Sequence, residues 1–399
     1  MDPVRNPYAP GAGQRPPELA GRDAELQTFD VLLERVSRSR PERSVVLTGL
    51  RGVGKTVLLN AMRSAAVRRG WGTGKLEARP DQPLRRPLAA ALHLAVRELA
   101  QPNRAEADHV LGVLKSFAQR EPRTGKAAKL RDRWQPGIDV LAVPGRADSG
   151  DIEIDLVELF TDIAGLAGDS GHGVAIFIDE MQDLGPADVS ALCAACHEVS
   201  QQGLPLVVVG AGLPHLPAVL SAAKSYSERL FRYARIDRLD RAAADAALQL
   251  PAKGEDAEFD ADALVAMYEA TGGYPYFVQA YGKTTWDVAP RSPITVADAA
   301  VAAPEAEAEL AVGFFGSRYE RATPSEREYL RAMADVADAS APDEPVSTSA
   351  VADSLRRPAQ SLSPARDGLL KKGLVYSGQR GRISFTVPHF GRYLRQQEM

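Results

Sequence analysis

Three clusters in this chain have residue types that do chemistry. The first is Gly49-Leu50-Arg51-Gly52-Val53-Gly54-Lys55-Thr56, which follows the apolar run Ser44–Thr48 and leads into a helical pattern. Glycines at these places let backbone N–H groups turn inward around an anion, and the start of a helix adds the positive end of its dipole. In the spacing G-x-x-x-x-G-K-[ST], Lys55 would meet the β- and γ-phosphates of a nucleotide, and the Thr56 hydroxyl would ligate magnesium. Gly49, Gly52, Val53, Gly54 and Val57 complete the expected cradle.

The second cluster is Asp179-Glu180, at the end of the apolar run Val174–Ile178. Asp179 would hold magnesium through its water shell, and Glu180 would orient or deprotonate an attacking water. That pairing suits hydrolysis better than transfer of phosphate to a small molecule. The third cluster, Cys193-Ala194-Ala195-Cys196-His197, matches the C-x-x-C-H of covalent haem attachment. Val189, Leu192, Cys193, Cys196 and Val199, however, recur at the spacing of one buried helical stripe. Free cysteine behaves there as a small hydrophobe, so a core helix is expected. Two further zinc ligands are not apparent either.

The first two clusters must be held by parallel strands ending side by side. From about residue 21 to 235 the chain alternates helical patterns with continuous apolar runs, clearest at Val45–Thr48, Val174–Ile178 and Leu206–Val209. Runs apolar at every position suit strands covered on both faces, so a parallel α/β sheet is expected. The stretch 100–150 is rich in charge, Pro and Gly and is expected as a partly ordered insertion. Residues 236–318 carry helical patterns and few strand signals. Residues 319–399 begin at a capping box, Thr323-Pro324-Ser325-Glu326, and continue with two short helices and a hairpin, the order of a winged helix-turn-helix.

At 399 residues, with 45% hydrophobic and 25% charged side chains, the chain reads as a folded protein of two or three domains, at roughly 150 residues each. Residues 1–20 contain five prolines and no apolar core segment, so an extended arm is expected there rather than a secretory signal. The uncharged run Gly203–Ala223 is interrupted by Pro205, Pro214 and Pro217 and divides into strand, loop and helix, not a membrane span. A cytoplasmic protein is expected.

The set of motifs resembles the AAA+ and STAND branch of P-loop ATPases, most of all the origin-recognition (Orc/Cdc-type) ATPases and their bacterial relatives. Besides the phosphate loop and FIDEMQDL, Leu19-Ala20-Gly21-Arg22-Asp23-Ala24-Glu25 resembles the h-h-G-R-x-x-E element near adenine and phosphates. Thr271-Gly272-Gly273-Tyr274-Pro275 resembles the G-x-P element of the helical lid, whose proline packs near the base. The resemblance implies ATP and magnesium as cofactors, Mg-dependent ATP hydrolysis, and contacts from Arg22 and Pro275 around the nucleotide.

Two expected elements are missing. The strand Leu206–Val209 runs into Gly210-Ala211-Gly212 without the usual polar residue that senses the γ-phosphate, and the lid shows no obvious second-sensor arginine. Arg229 stands where the family places an arginine reaching a neighbouring subunit's nucleotide, which would require a nucleotide-dependent homo-oligomer. The same residue reads equally as a plain surface arginine. These departures suggest slow, partner-controlled hydrolysis, a hypothesis that fast intrinsic turnover would contradict.

The overall net charge is only -4, but residues 351–399 hold nine basic residues against three acids. A basic terminal domain on an acidic body fits double-stranded DNA binding, with Ser363–Lys372 entering the major groove. The alternative is a STAND-type regulatory ATPase whose winged helix docks protein partners.

Overall fold

The computed structural model describes every residue except 12, 101, 121–136, 338–343, 388 and 397–399. Five parallel strands form the central sheet: β1 (Ser44–Thr48), β2 (Gly72–Glu77), β3 (Val174–Asp179), β4 (Leu206–Gly212) and β5 (Phe231–Arg235), in the order β2-β3-β4-β1-β5. All of β1, β3 and β4 is buried, which is why those runs are apolar at every position. Successive side chains serve opposite faces. Val45, Leu47, Phe177 and Val209 meet the helices Asp23–Ser37 and Lys55–Arg68. Val46, Ile176, Ile178 and Val208 meet Arg85–Glu98, Ile152–Asp169 and Pro186–Gln201.

Strand β2, sequence GTGKLE, has no apolar run to announce it. Its glycines serve packing: a Cβ at Gly72 or Gly74 would overlap the carbonyl oxygen of Ala95 or Ala91 on the helix Arg85–Glu98. The expected insertion at 100–150 is in part a helix, Arg104–Gln119, capped by the Asn103 side chain. Phe117 of that helix lies under the Arg85 guanidinium, 4.4 Å from ring centroid to Cζ, and Arg85 pairs with buried Asp155 at 2.7 Å. Much of the charged run that suggested a loop, 121–136, lies outside the described residues. The helix Pro186–Gln201 buries Cys193 and Cys196 in the second core, so the C-x-x-C-H match is a core stripe. Burial pushes the Cys193 thiol up to about 12.

Four helices, Arg241–Gly254, Ala261–Thr271, Pro275–Val288 and Val296–Glu309, make up most of the region expected as a helical lid. A π-helical turn, Leu310–Gly316, continues the last of them into Ser317–Glu320, so one helical run crosses the 318/319 boundary expected from the sequence. The N-terminal residues pack on these helices. Tyr8 is buried and donates to the Leu248 carbonyl at 2.5 Å, and the Trp286 indole donates to the Asp2 carbonyl at 2.9 Å.

The C-terminal segment starts at Pro324–Val336, with the capping box at Thr323 and Glu326 formed as expected. It continues through β6 (Val346–Ser347), the helices Thr348–Ser354 and Ser363–Lys371, β7 (Val375–Tyr376) and β8 (Arg382–Phe385), then Phe390–Gln396. Its small sheet has the antiparallel order β6-β8-β7, a layout compatible with a winged helix-turn-helix. Residues 383–387 are buried throughout. Part of the cause is a contact between domains: the Thr386 carbonyl accepts from the Arg51 backbone N–H at 3.0 Å.

Among the described residues no helix is long and apolar enough to cross a membrane.

Candidate functional site

In parallel sheets the carboxyl ends of the strands line the binding crevice. Here those ends deliver the phosphate loop after β1 and Asp179-Glu180 at the end of β3; the two strands are not side by side as expected, since β4 pairs with both and lies between them. A cavity of about 580 Å³ opens above them. Its lining includes the polar side chains Arg51, Lys55, Thr56, Asp179 and Glu180 and the apolar ones Pro10, Leu19, Leu239, Ala247 and Pro275. That volume and lining suit a ligand with a flat apolar part and a charged tail.

Gly54 is the N-cap of the helix Lys55–Arg68, at φ 92, and no side chain caps that helix. The first-turn N–H groups therefore have neither an intrahelical nor a side-chain partner and face the cavity, where an anion fits. The Lys55 ammonium donates to the carbonyls of Gly49 at 2.8 Å and Leu50 at 2.7 Å. Burial pulls its pKa down to about 8, against the opposing pull of Glu180 and Asp179. The Thr56 hydroxyl donates to Asp179 at 2.7 Å, so the two expected magnesium-binding groups face each other.

Arg22 is buried and donates to the carbonyls of Val53 at 3.1 Å and Asp237 at 2.5 Å, bracing the loop from behind. Pro275 begins the helix Pro275–Val288 and lines the cavity, as does Val57. Arg229 is the outlier. It is exposed on the short helix Ser227–Leu230 and is not among the cavity residues.

Glu180 occupies the left-handed region, φ 48 and ψ 40, a conformation costing a non-glycine residue about 1–3 kcal/mol. One carboxylate oxygen accepts from Gln182 Nε2 at 2.6 Å, and the other lies 4.0 Å from the Arg51 guanidinium. Strand β4 does end without a polar side chain, as expected. In its place Gln182 reaches in from the turn Met181–Asp183, its Oε1 accepting from the Leu213 N–H at 3.0 Å.

Arginines that the sequence did not single out also converge here. Arg318 and Arg321 line the cavity from the helix Ser317–Glu320 and the residue after it. Arg318 lies over the Phe314 ring, 4.1 Å from its centroid, and its buried Nε has no partner among the described residues. Burial, with Arg51 and Arg321 nearby, pulls its pKa down to about 10. The arginines sit three apart at the end of a helical run, a spacing that puts both on one face and was visible in SRYER. A set of cations that disfavour one another's charge fits a polyanionic ligand such as a nucleotide triphosphate.

This is the fold of a P-loop ATPase. Residues 18–209, a range that includes both motifs, match the family model described as AAA ATPase domain. Residues 312–394 match a second family model, described as a domain of unknown function, DUF8462. No curated protein matches the sequence.

Among solved structures, the chain is similar to a Walker-type ATPase of Pyrococcus abyssi, at 16% identity and a TM-score of 0.57, covering 96% of this chain and 97% of that one. The Orc1 protein of Aeropyrum pernix in complex with DNA shows 15% identity and a TM-score of 0.45, covering 96% and 94%. The RuvB Holliday junction branch migration motor of Thermotoga maritima shows 17% identity and a TM-score of 0.43, covering 97% and 100%. At these identities the likeness is one of fold.

Proposed function

We propose that this protein is a slowly hydrolysing, magnesium-dependent ATPase that works as a nucleotide-governed switch, with its output at the C-terminal domain. Lys55 and the loop N–H groups would hold the phosphates, and Thr56 and Asp179 would hold magnesium, which neutralises phosphate charge when bound. Glu180 is assigned the water, Arg22 braces the loop, Pro275 backs the base, and Arg318 and Arg321 face the phosphate tail.

The observation that carries the switch reading is the contact between phosphate loop and C-terminal domain. Arg51 belongs to the loop. Its backbone donates to Thr386, and a Cβ added at Gly373 would lie 2.7 Å from its guanidinium. The same guanidinium is the one facing Glu180. Any movement of the loop on binding or losing phosphate therefore acts directly on the domain at residues 373–386.

For the output we favour duplex DNA, bound through the exposed cations Arg356, Lys371, Arg380 and Arg382, none of which has an acidic partner among the described residues. Protein docking is the second reading, and the ion pairs favour it. Lys372 pairs with Glu326 at 2.5 Å, Arg357 with Glu328 at 3.1 Å and Arg392 with Glu307 at 3.0 Å, so part of the basic surplus is spent within the chain.

Salt separates the two. With about four phosphate contacts, the log–log slope of DNA affinity against salt should be about -3 to -4, and affinity should differ between ATP and ADP. A flat salt response supports the protein-docking reading instead. Arg229 is assigned to a neighbouring subunit's nucleotide in an ATP-dependent homo-oligomer, and a chain that stays monomeric with ATP removes that role.

A further inference from the structure

The carboxylate assigned to water activation is tethered. Glu180 Oε2 accepts from Gln182 Nε2 at 2.6 Å, and Gln182 Oε1 accepts from the Leu213 backbone N–H at 3.0 Å. A backbone N–H only donates, so the oxygen of the amide must be the atom at Leu213 and the NH₂ must face Glu180. The orientation of the amide follows from its partners.

Room for that amide comes from the end of β4. A Cβ on Gly212 would lie 2.6 Å from Gln182 Oε1 and 2.7 Å from Leu216 Cδ2, so glycine leaves the space that the glutamine fills. The Gly212 carbonyl also accepts from the N–H of Gly49, the first residue of the phosphate loop, at 3.2 Å. Carboxylate, glutamine, end of β4 and phosphate loop thus form one hydrogen-bonded chain.

We infer that Gln182 is the positioning residue for Glu180, fixing its carboxylate against the phosphate loop and supplying the polar group that β4 itself lacks. The inference rests on the assignment of Glu180 made above. A backbone-anchored donor on the carboxylate limits the rotamers open to it and so holds it in one place against the phosphate loop. The charged groups around Glu180 are Arg51 and Lys55 of the loop, Arg318 from the C-terminal half, Glu77 at the end of β2, and Asp179 and Asp183 on its own segment. These stay the same in every variant below.

The test measures kcat and KM for ATP turnover in the full chain, binding of a fluorescent ATP analogue, and thermal stability. Gln182→Met keeps the volume and removes both hydrogen bonds, and its turnover should fall about 10- to 100-fold, with nucleotide affinity within about threefold. Gln182→Glu keeps the acceptor for Leu213 but sets a second carboxylate beside Glu180. Its turnover should fall at least as far as that of Gln182→Met, because the donor to Glu180 is lost and a like charge faces it. Gly212→Ala, which crowds only the far ends of two flexible side chains, should lower turnover by displacing the same amide.

A residue that merely ties down the 181–183 turn would lower thermal stability and nucleotide affinity together with turnover, whereas here kcat should fall with KM nearly unchanged. Normal turnover in Gln182→Met or in Gln182→Glu overturns the inference. If Glu180→Gln also abolishes turnover, the assignment of Glu180 survives that result. Turnover retained in Glu180→Gln overturns the assignment itself.

Discussion

Lys55 shows how the site stores its preference for a ligand in one residue. Its ammonium is buried on two carbonyls, and burial lowers its pKa from 10.5 to about 8. Between those values the unfolded chain binds the proton and the folded chain does not, so stability without nucleotide should rise as the pH climbs through that window. Phosphate restores the charged form. ATP binding is therefore expected to take up a proton at Lys55, in amounts that grow as the pH rises from about 7 to 9, measurable by calorimetry in two buffers of different ionisation enthalpy. No net uptake at pH 9 would contradict the assignment. Lys55, Thr56, Asp179 and Glu180 stood out in the sequence because two short motifs carry them, and the structure brings all four to one cavity. Gln182 and Arg318 did not, because their roles depend on which distant segments fold against them. Gln182 needs Leu213, and Arg318 needs the phosphate loop to lie beneath the last lid helix.

At the scale of elements, continuous apolar runs announced β1, β3 and β4, and the capping box announced Pro324–Val336. The edge strand β2 escaped notice because its glycines answer to helix packing, not to strand preference. That gives a prediction running against propensity. Gly74→Val improves the intrinsic β preference, yet its side chain must displace the helix at Ala91. The variant should lose about 2–3 kcal/mol in chemical denaturation, as overpacked sites do. Equal or greater stability would mean that the helix Arg85–Glu98 does not sit as described. The helix Arg104–Gln119 was hidden in the same way, since the charge, Pro and Gly of the stretch around it dominate the reading of a region whose buried face includes Val110, Val113 and Phe117.

Taken whole, the molecule brings four parts of the chain to one cavity: the N-terminal residues, the sheet, the lid and the helix carrying Arg318. The C-terminal domain adds its hold on the loop at Arg51. Charge counting located the basic surplus of that domain but not its ion pairs, which only the folded neighbours Glu326, Glu328 and Glu307 reveal. Everything proposed for the switch depends on ATP being hydrolysed at this cavity by Glu180. The direct measurement is ATP turnover by Glu180→Gln set beside its ATP binding. We expect binding within about threefold of wild type and turnover reduced at least about 100-fold, the loss typical of removing a general base. Normal turnover with normal binding would contradict the account.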